Sequence, residues 1–201
     1  MDIVLATRNK KKIEEIKKIM SEVISGADIN IFTPDDFPEC PEIEEDGSTF
    51  EANAVKKAVY ISKCTGMTAI ADDSGLEVCA LNGAPGVFSA RYAGESADDR
   101  DNCEKLLHEM RDIPDVERKA RFVCCITVAS GDNVKSFFGY VEGKIGTVLR
   151  GKTGFGYDPL FYPEGHSRTF AEMSDDEKNA LSHRGKALNK LRDYLKEEGL
   201  V

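Results

Sequence analysis

The sequence has no apolar run close to the ~20 residues that a helix needs to cross a bilayer. Its first residues also lack the basic segment and long apolar stretch of a secretory signal. Internal repeats, low-complexity tracts and Pro/Gly/Ser-rich linkers are absent as well. These absences predict a folded cytoplasmic protein without a membrane partner, and the length of 201 residues predicts one domain covering residues 1–201.

The six cysteines form no Cys-x-x-Cys pair and no Cys/His cluster with the spacing of a zinc site. Because a reducing cytosol keeps thiols unpaired, we expect these cysteines to be free and buried.

An excess of basic residues is missing too, since the net charge is −9. Binding to nucleic-acid backbones needs a basic surface, so we expect no nucleic-acid partner. A small phosphate ligand remains compatible with this charge, because it needs only a local cationic pocket, usually helped by a divalent metal.

Short apolar runs alternate with amphipathic segments along the chain. Residues 3–6 are typical of a buried strand, and a helix is predicted to follow with Ile13, Ile16 and Met20 on one face. Residues 121–129 and 134–148 alternate like the strands of a hairpin around a turn at 131–133. Interleaved helices and strands with an antiparallel hairpin predict an α/β protein built on a mixed sheet.

A cationic segment lies where the first strand meets the first helix. It consists of Thr7, Arg8, Asn9, Lys10, Lys11 and Lys12. Free amides at a helix N-terminus, the helix dipole and these cations all favour a phosphate ligand. Thr7 or Asn9 could equally be a plain helix cap, with the lysines exposed to solvent.

Two acidic segments follow. Glu42, Glu44, Glu45 and Asp46 precede a predicted capping box that starts at Ser48, and they could either be solvated or hold a hard cation such as Mg²⁺.

The second acidic segment is Asp72-Asp73-Ser74-Gly75, which we expect to be a turn between strands at 68–71 and 76–80. These residues could simply form a turn, or they could supply a carboxylate that binds metal and activates water. Since strand side chains alternate, only one of the two aspartates should face a given cleft, and spacing does not say which.

Two segments near the C-terminus could contact a nucleotide. In residues 153–159, glycines flank Phe155 and Tyr157, so a flat base could stack there, although both rings could instead belong to the core. Lys178 and Arg184 are six residues apart and would not share a face of one straight helix, so we expect a break near Ser182, with His183 and Arg184 at the start of the last helix.

In their order along the chain and in their residues, these segments resemble the motifs of the inosine-triphosphate pyrophosphatase family, also called XTP/dITP diphosphatases. The likeness covers nearly the whole chain. The matching motifs are Thr7-x-Asn9-x-x-Lys12, Glu44-Glu45-x-Gly47-x-Thr49-Phe50-x-x-Asn53-Ala54, Ala71-Asp72-Asp73-Ser74-Gly75-Leu76, Gly83-Ala84-Pro85-Gly86-Val87-x-Ser89-Ala90-Arg91-Tyr92, Phe155-Gly156-Tyr157-Asp158-Pro159, and Ser182-His183-Arg184-Gly185-Lys186-Ala187-Leu188.

The resemblance implies a magnesium-dependent enzyme that hydrolyses non-standard purine nucleoside triphosphates (ITP, dITP, XTP) to the monophosphate and pyrophosphate. It also implies an α/β fold with a long twisted mixed sheet flanked by helices, two lobes with a central cleft, and a homodimer. Residue 8, often glycine in the family, is Arg8 here and adds a cation.

Carried over residue by residue, the resemblance assigns the triphosphate to residues 7–12 and Mg²⁺ to Glu44 and Asp73. By the same resemblance, Asp73 is the water-activating base, and Ser74 lies at the substrate. The residues implied to surround the nucleotide are Phe155, Gly156, Tyr157, Asp158, Lys178, His183 and Arg184.

Two rival interpretations remain. Maf-like nucleotide pyrophosphatases share the chemistry but prefer other bases, including pyrimidines. A nucleotide-binding regulator would bind ITP without releasing pyrophosphate, although the retained Glu44 and Asp73 argue against it.

Overall fold

The computed structural model describes residues 2–23 and 29–199. Its strands are β1 (Asp2–Leu5), β2 (Asn30–Phe32), β3 (Thr68–Val78), β4 (Lys119–Ser130), β5 (Asn133–Ile145) and β6 (Phe161–Pro163). Its α-helices are α1 (Lys10–Val23), α2 (Phe50–Thr65), α3 (Asp99–Glu109), α4 (Asp175–Leu181) and α5 (His183–Glu197).

The strands of the described residues form one six-stranded sheet in the order β2-β1-β3-β4-β5-β6. Strand β1 pairs in parallel with β2 and with β3, whereas β5 and β6 pair antiparallel. Strands β4 and β5 are neighbours joined by Gly131 and Asp132, a connection short enough only for an antiparallel hairpin. The predicted α/β class with a mixed sheet is therefore confirmed.

The chain divides into two compact units, each assembled from separate stretches. Unit 1 consists of Met1–Asp73, Cys124–Gly139 and Arg184–Val201, and unit 2 of Ser74–Val123 and Tyr140–His183. Each unit has its own buried apolar core. The prediction that residues 1–201 act as a single functional domain stays a prediction.

The core of unit 1 fixes the position of the cationic segment. Ile16 and Met20 of α1 pack with Ile3 and Leu5 of β1, as the helical spacing predicts. Burying each such side chain contributes about 1.5–3 kcal/mol, so the start of α1 is held against the end of β1.

Strand β3 contradicts the predicted turn at Asp72–Gly75. It runs without interruption from Thr68 to Val78, and both aspartates are buried within it. The turn prediction was wrong because it rested on local preferences alone. Cations from distant segments neutralise Asp72, so the strand can bury acidic side chains without breaking.

Of two predictions about helix termini, the one for the N-cap of α2 was wrong and the one for the break near Ser182 is confirmed. Thr49, not Ser48, is the N-cap of α2, and its hydroxyl accepts a hydrogen bond from the amide of Ala52 at 3.1 Å. The predicted break near Ser182 is confirmed, since this residue alone separates α4 from α5 and has an extended backbone (φ −65°, ψ 151°).

The cysteines differ in part from expectation. Cys40 and Cys64 form a disulfide across 24 residues of sequence, with Cα atoms 6.0 Å apart. Cys79, Cys103, Cys124 and Cys125 are free, and all but Cys79 are buried. The expectation failed for the bonded pair because pairing depends on how the chain folds back, which spacing does not reveal.

None of the helices in residues 2–23 and 29–199 is both long and apolar enough to span a membrane.

Candidate active site

The cationic segment occupies the junction of β1 and α1 in unit 1. The side-chain oxygen of Asn9 accepts a hydrogen bond from the amide of Lys12 at 3.2 Å, so Asn9 caps the helix as one interpretation predicted. The first turn of α1 contains no acidic residue and three lysines. Lysines at the positive end of a helix dipole are unfavourable without an anion, so this turn is suited to bind one.

Arg8 does not extend the lysine cluster. Its Nε lies 3.3 Å from Asp35 Oδ1, and its Nη2 donates a hydrogen bond to the carbonyl of Cys40 at 3.4 Å. The extra cation of this chain therefore binds the segment that follows β2.

Asp72 is held ionised by the cations around it. Its Oδ2 lies 3.2 Å from Lys12 Nζ and 3.1 Å from Arg184 Nη2. Burial alone would raise its pKa, but the charges of Lys12, Arg184 and Lys57 outweigh burial and hold the pKa of Asp72 far below its ordinary value.

Asp73, the next residue, has the opposite shift. Burial raises its pKa to about 6, the charges of Lys57 and Lys12 oppose that shift, and the charge of Glu45 adds to it. Asn53 Nδ2 donates a hydrogen bond to Asp73 Oδ2 at 3.0 Å. A carboxylate with a pKa near neutrality is suited to accept a proton from water.

Helix α2 orients this pair of aspartates. Asn53 and Lys57 are four residues apart and therefore share one face of the helix. Lys57 Nζ donates to Glu45 Oε1 at 2.9 Å and to the carbonyl of Asp72 at 2.6 Å. Burial lowers the pKa of Lys57, but the nearby carboxylates raise it by more, so this lysine stays charged.

The loop before α2 approaches Asn53 at Gly47. The amide of Gly47 donates to Asn53 Oδ1 at 2.7 Å, and a Cβ added at Gly47 would lie only 2.5 Å from that oxygen. Glycine is therefore needed here by close approach, and the contact leaves the Asn53 amide directed at Asp73.

The acidic segment presents Glu45 to this network. Glu45 is half-buried and pairs with Lys57, whereas Glu44, the predicted magnesium ligand, is exposed. Within residues 2–23 and 29–199, no group of three or more His, Cys, Asp or Glu side chains could hold a metal ion. Mg²⁺ is commonly bound by one or two carboxylates together with substrate phosphates and water. Asp73 with one neighbouring glutamate fits that mode of binding.

Arg184 is the most deeply buried cation of unit 1, with a side chain that is 1% exposed. Its Nη1 lies 2.5 Å from Glu15 Oε2, and its Nη2 contacts Asp72. Two carboxylates thus face one guanidinium, and they raise its pKa above the ordinary value although burial lowers it.

Unit 2 holds a second cluster of predicted residues. Lys178 Nζ lies 2.8 Å from Asp158 Oδ2 and 4.7 Å from the centre of the Phe155 ring. The same oxygen of Asp158 accepts a hydrogen bond from the amide of Phe155 at 2.9 Å. Gly156 has a positive φ of 58°, which lets the loop turn between Phe155 and Tyr157.

The remaining predicted residues of unit 2 are placed differently. Tyr157 belongs to the apolar core, and its hydroxyl donates to the carbonyl of Ser89 at 2.9 Å. His183 is buried, and its ring stacks on Phe122 with centroids 4.7 Å apart. Ser74 is half-buried in β3, next to Asp73 in the chain.

Comparison with known proteins identifies the family. The model of the Ham1 family matches residues 3–194. The chain belongs to the Ham1 family. It is 51% identical to the dITP/XTP pyrophosphatase of Desulfotalea psychrophila over 94% of this chain and 83% of that protein. It is 48% identical to the dITP/XTP pyrophosphatase of Geobacter sulfurreducens over 98% of both chains.

Two solved structures share the fold. The HAM1 protein of Coxiella burnetii superposes with a TM-score of 0.89 at 44% identity, covering 98% of this chain and 99% of that one. The nucleoside-triphosphatase and dITP/XTP pyrophosphatase of Mycobacterium abscessus superposes with a TM-score of 0.79 at 42% identity, covering 95% and 98%.

Three residues of this Ham1-family chain contact the predicted site without having been assigned a role from sequence. They are Glu15, Asn53 and Lys57. Glu45 was a candidate only as one member of the acidic segment. The four-residue spacing of Asn53 and Lys57 was a usable signal, since it places both on one helix face. Nothing local distinguishes Glu15 from the exposed Glu14 beside it.

Proposed function

We propose that this Ham1-family protein hydrolyses non-standard purine nucleoside triphosphates (ITP, dITP and XTP) to the monophosphate and pyrophosphate. The relatives named dITP/XTP pyrophosphatases support the substrate class. The observation that carries the chemistry is that one unit contains both Asp73, whose pKa burial raises to about 6, and a lysine-rich helix N-terminus whose Lys12 acts on the Asp73 carboxylate by its charge.

In the proposed reaction, residues 7–12 bind the triphosphate. The amides at the start of α1 and the ammonium groups of Lys10, Lys11 and Lys12 offset its negative charge, which would otherwise repel an incoming nucleophile. Asp72 does not bind phosphate, since like charges repel, and it instead holds Lys12 in place.

Asp73 is the proposed general base. It accepts a proton from water as the water oxygen bonds to phosphorus, and the bond between phosphorus and the oxygen linking the α- and β-phosphates breaks. Asn53 fixes one carboxylate oxygen of Asp73 at 3.0 Å, and Lys57 limits the build-up of negative charge beside it.

Magnesium is part of the proposal. Glu44 and Asp73 are the ligands predicted from sequence, and the contact of Glu45 with the Asp73 network supports Glu45 as the glutamate nearer to the ion. When bound, Mg²⁺ would neutralise phosphate charge and act as a Lewis acid.

Base recognition is assigned to Phe155, Asp158, Lys178 and His183. Phe155 can stack on a purine, and the Lys178–Asp158 pair can supply a donor and an acceptor. We also propose that Arg184 donates a hydrogen bond to the 6-oxo group that hypoxanthine carries and adenine lacks. Sites that hydrogen-bond one group can reject an analogue lacking it by orders of magnitude.

The proposal includes a homodimer in the cytoplasm and no nucleic-acid partner. Exposed apolar side chains of unit 2 support self-association: Phe88 is 56% exposed and Val148 is 52% exposed. Light scattering of the purified protein should give twice the mass of one chain.

The deciding experiment measures pyrophosphate release from ITP, XTP, GTP, ATP and dUTP, each with Mg²⁺ and with a chelator. We expect rapid release from ITP and XTP only with Mg²⁺, and a far smaller kcat/KM for ATP. Preference for dUTP would favour a Maf-like activity, and tight ITP binding without release would favour a regulator.

The matched variants are Asp73→Asn and Asp193→Asn. Asp193 is an exposed aspartate of the same unit that pairs with Arg192. We expect Asp73→Asn to lower kcat by at least about a hundredfold, the usual contribution of a general base, and Asp193→Asn to leave kcat unchanged. Wild-type kcat for Asp73→Asn at saturating Mg²⁺ would refute the assignment.

A further inference from the structure

Glu15 is a buried carboxylate on a helix whose other charged residues mostly face solvent. Its side chain is 9% exposed, whereas the neighbouring Glu14 is exposed. Ile16, the next residue, and Ile19, one turn further along α1, belong to the core of unit 1. Burying a carboxylate is costly unless a cation pairs with it, and here Arg184 is that cation at 2.5 Å.

Glu15 stands at one end of a chain of alternating charges. Glu15 contacts Arg184, Arg184 contacts Asp72, and Asp72 contacts Lys12. Arg184 and Lys12 both contact the same oxygen of Asp72, at 3.1 and 3.2 Å. Lys12 is the least buried of the four, with a side chain that is 17% exposed, and it belongs to the proposed phosphate-binding segment.

The shared oxygen makes the two cations competitors for Asp72. While Glu15 bears its charge, Arg184 has a second carboxylate, and Asp72 can hold the Lys12 ammonium as well. Without the charge of Glu15, a guanidinium that is 1% exposed would depend more on Asp72. Low-dielectric surroundings make the interaction between Arg184 and Asp72 strong. As Arg184 draws more on Asp72, the attraction between Asp72 and Lys12 would weaken.

We propose that Glu15 is a positioning residue for triphosphate binding: by neutralising Arg184 it leaves Asp72 able to hold Lys12 where the phosphates bind. The inference rests on the proposed function of residues 7–12. Glu15 acts through Arg184 and Asp72 and does not touch the substrate. Arg184 thereby affects binding of the phosphates, through Asp72 and Lys12, in addition to any contact that it makes with the base.

The test compares Glu15→Gln with Glu14→Gln, a matched control one residue away on the exposed face of α1. For Glu15→Gln we expect KM for ITP to rise about tenfold, the effect of weakening one buried charged hydrogen bond, while kcat stays within about threefold of wild type. Inorganic tripolyphosphate, which has no base, should lose inhibitory affinity by the same factor. The ratio of kcat/KM for ITP to that for ATP should not change.

A merely structural role for Glu15 predicts a different pattern. Lost stability would lower the melting temperature and the active fraction, and so kcat, without changing the inhibition constant of tripolyphosphate. A base-reading role predicts a smaller ITP-to-ATP ratio with tripolyphosphate affinity intact. Either pattern, or a Glu15→Gln enzyme that matches Glu14→Gln, would overturn the inference.

Glu15→Asp is a second variant that allows the test to be made even if Glu15→Gln does not fold. It keeps the negative charge on a shorter side chain, so we expect tripolyphosphate affinity between that of Glu15→Gln and wild type. If Glu15→Gln does not fold, the test rests on folded Glu15→Asp. If this variant binds tripolyphosphate as tightly as wild type, the inference is overturned. If it binds tripolyphosphate more weakly, the inference is supported. Wild-type protein that releases no pyrophosphate from ITP yet binds tripolyphosphate would refute the proposed function but leave the Glu15 measurement valid.

Discussion

Asp72 and Asp73 are adjacent, chemically identical and buried, yet their pKa values are shifted in opposite directions. Consecutive residues of a strand point to opposite faces, so the two carboxylates meet different neighbours. Asp72 faces Lys12 and Arg184, whereas Asp73 faces Asn53 and feels the charge of Glu45. One carboxylate is thereby fixed as a counter-ion and the other can exchange a proton.

Asp73 should reduce the stability of the metal-free protein at neutral pH. Its pKa is about 6 in the folded chain against an ordinary 3.8, so the folded state binds more protons between these values. Stability from this group is therefore greatest at low pH and is lost as pH rises through about 6. The loss is about 3 kcal/mol, obtained from a shift of roughly two units at 1.36 kcal/mol each.

Asp73→Asn should accordingly be more stable than wild type above pH 7 when a chelator is present, although its kcat is expected to be lower by at least about a hundredfold. The difference should shrink toward zero as pH falls below about 4, where wild-type Asp73 is protonated in both states. Urea denaturation across this pH range measures it. A stability difference that grows with acidification would show that Asp73 is not desolvated as described.

At the scale of the element, the N-terminus of α2 provides a direct comparison of two hydroxyl residues. Replacing Thr49 by alanine removes the cap of Ala52 and should lower the free energy of unfolding by about 1 kcal/mol. Ser48→Ala is the matched control and should have little effect, since Thr49 is the N-cap. Equal losses for both variants would mean that Ser48 shares the capping.

The disulfide between Cys40 and Cys64 should stabilise the segment it closes. For a loop of 24 residues, the reduced entropy of the unfolded chain contributes about 3 kcal/mol. The double variant Cys40→Ser/Cys64→Ser should unfold at correspondingly lower denaturant, and a thiol reductant should shift wild type by a similar amount. Insensitivity of wild type to the reductant would indicate that the two cysteines are not bonded in solution.

Elements with a strong local pattern were predictable from sequence. The β4–β5 hairpin, the apolar face of α1 and the break at Ser182 each depend on residues close together in the chain. Strand β3 was not predictable in this way, because its aspartates are compatible with a strand only when cations from other segments neutralise them.

In the candidate site, too, some residues were predictable from local sequence and others were not. Sequence motifs indicated the lysine segment and Asp73, whose roles remain proposals. They did not distinguish Glu45 from Glu44 or Glu15 from Glu14, since neighbouring glutamates differ only in which side of the backbone they occupy. That choice depends on Lys57 and Arg184, which lie 12 and 169 residues away in the chain.

At the scale of the whole molecule, an acidic protein carries a local concentration of cations. The net charge is −9, while Lys10, Lys11 and Lys12 are gathered at one helix terminus. A long anion such as duplex DNA meets the acidic surface as well as the lysines, whereas a triphosphate can contact the lysines alone.

We therefore expect no retardation of a DNA duplex in a gel-shift assay at physiological ionic strength, and inhibition of ITP hydrolysis by tripolyphosphate but not by DNA. Salt-sensitive DNA binding that tripolyphosphate displaces would contradict this view of the charge distribution.

The bond between Cys40 and Cys64 has a further consequence for handling the intact molecule. A protease that cuts the mostly exposed residues 41–46 severs the backbone, but both fragments stay covalently attached through sulfur. Such a nicked chain would migrate as one band on a denaturing gel and separate into two bands once a thiol is added. Limited digestion followed by paired gels thus reports whether Cys40 and Cys64 are bonded in the purified protein.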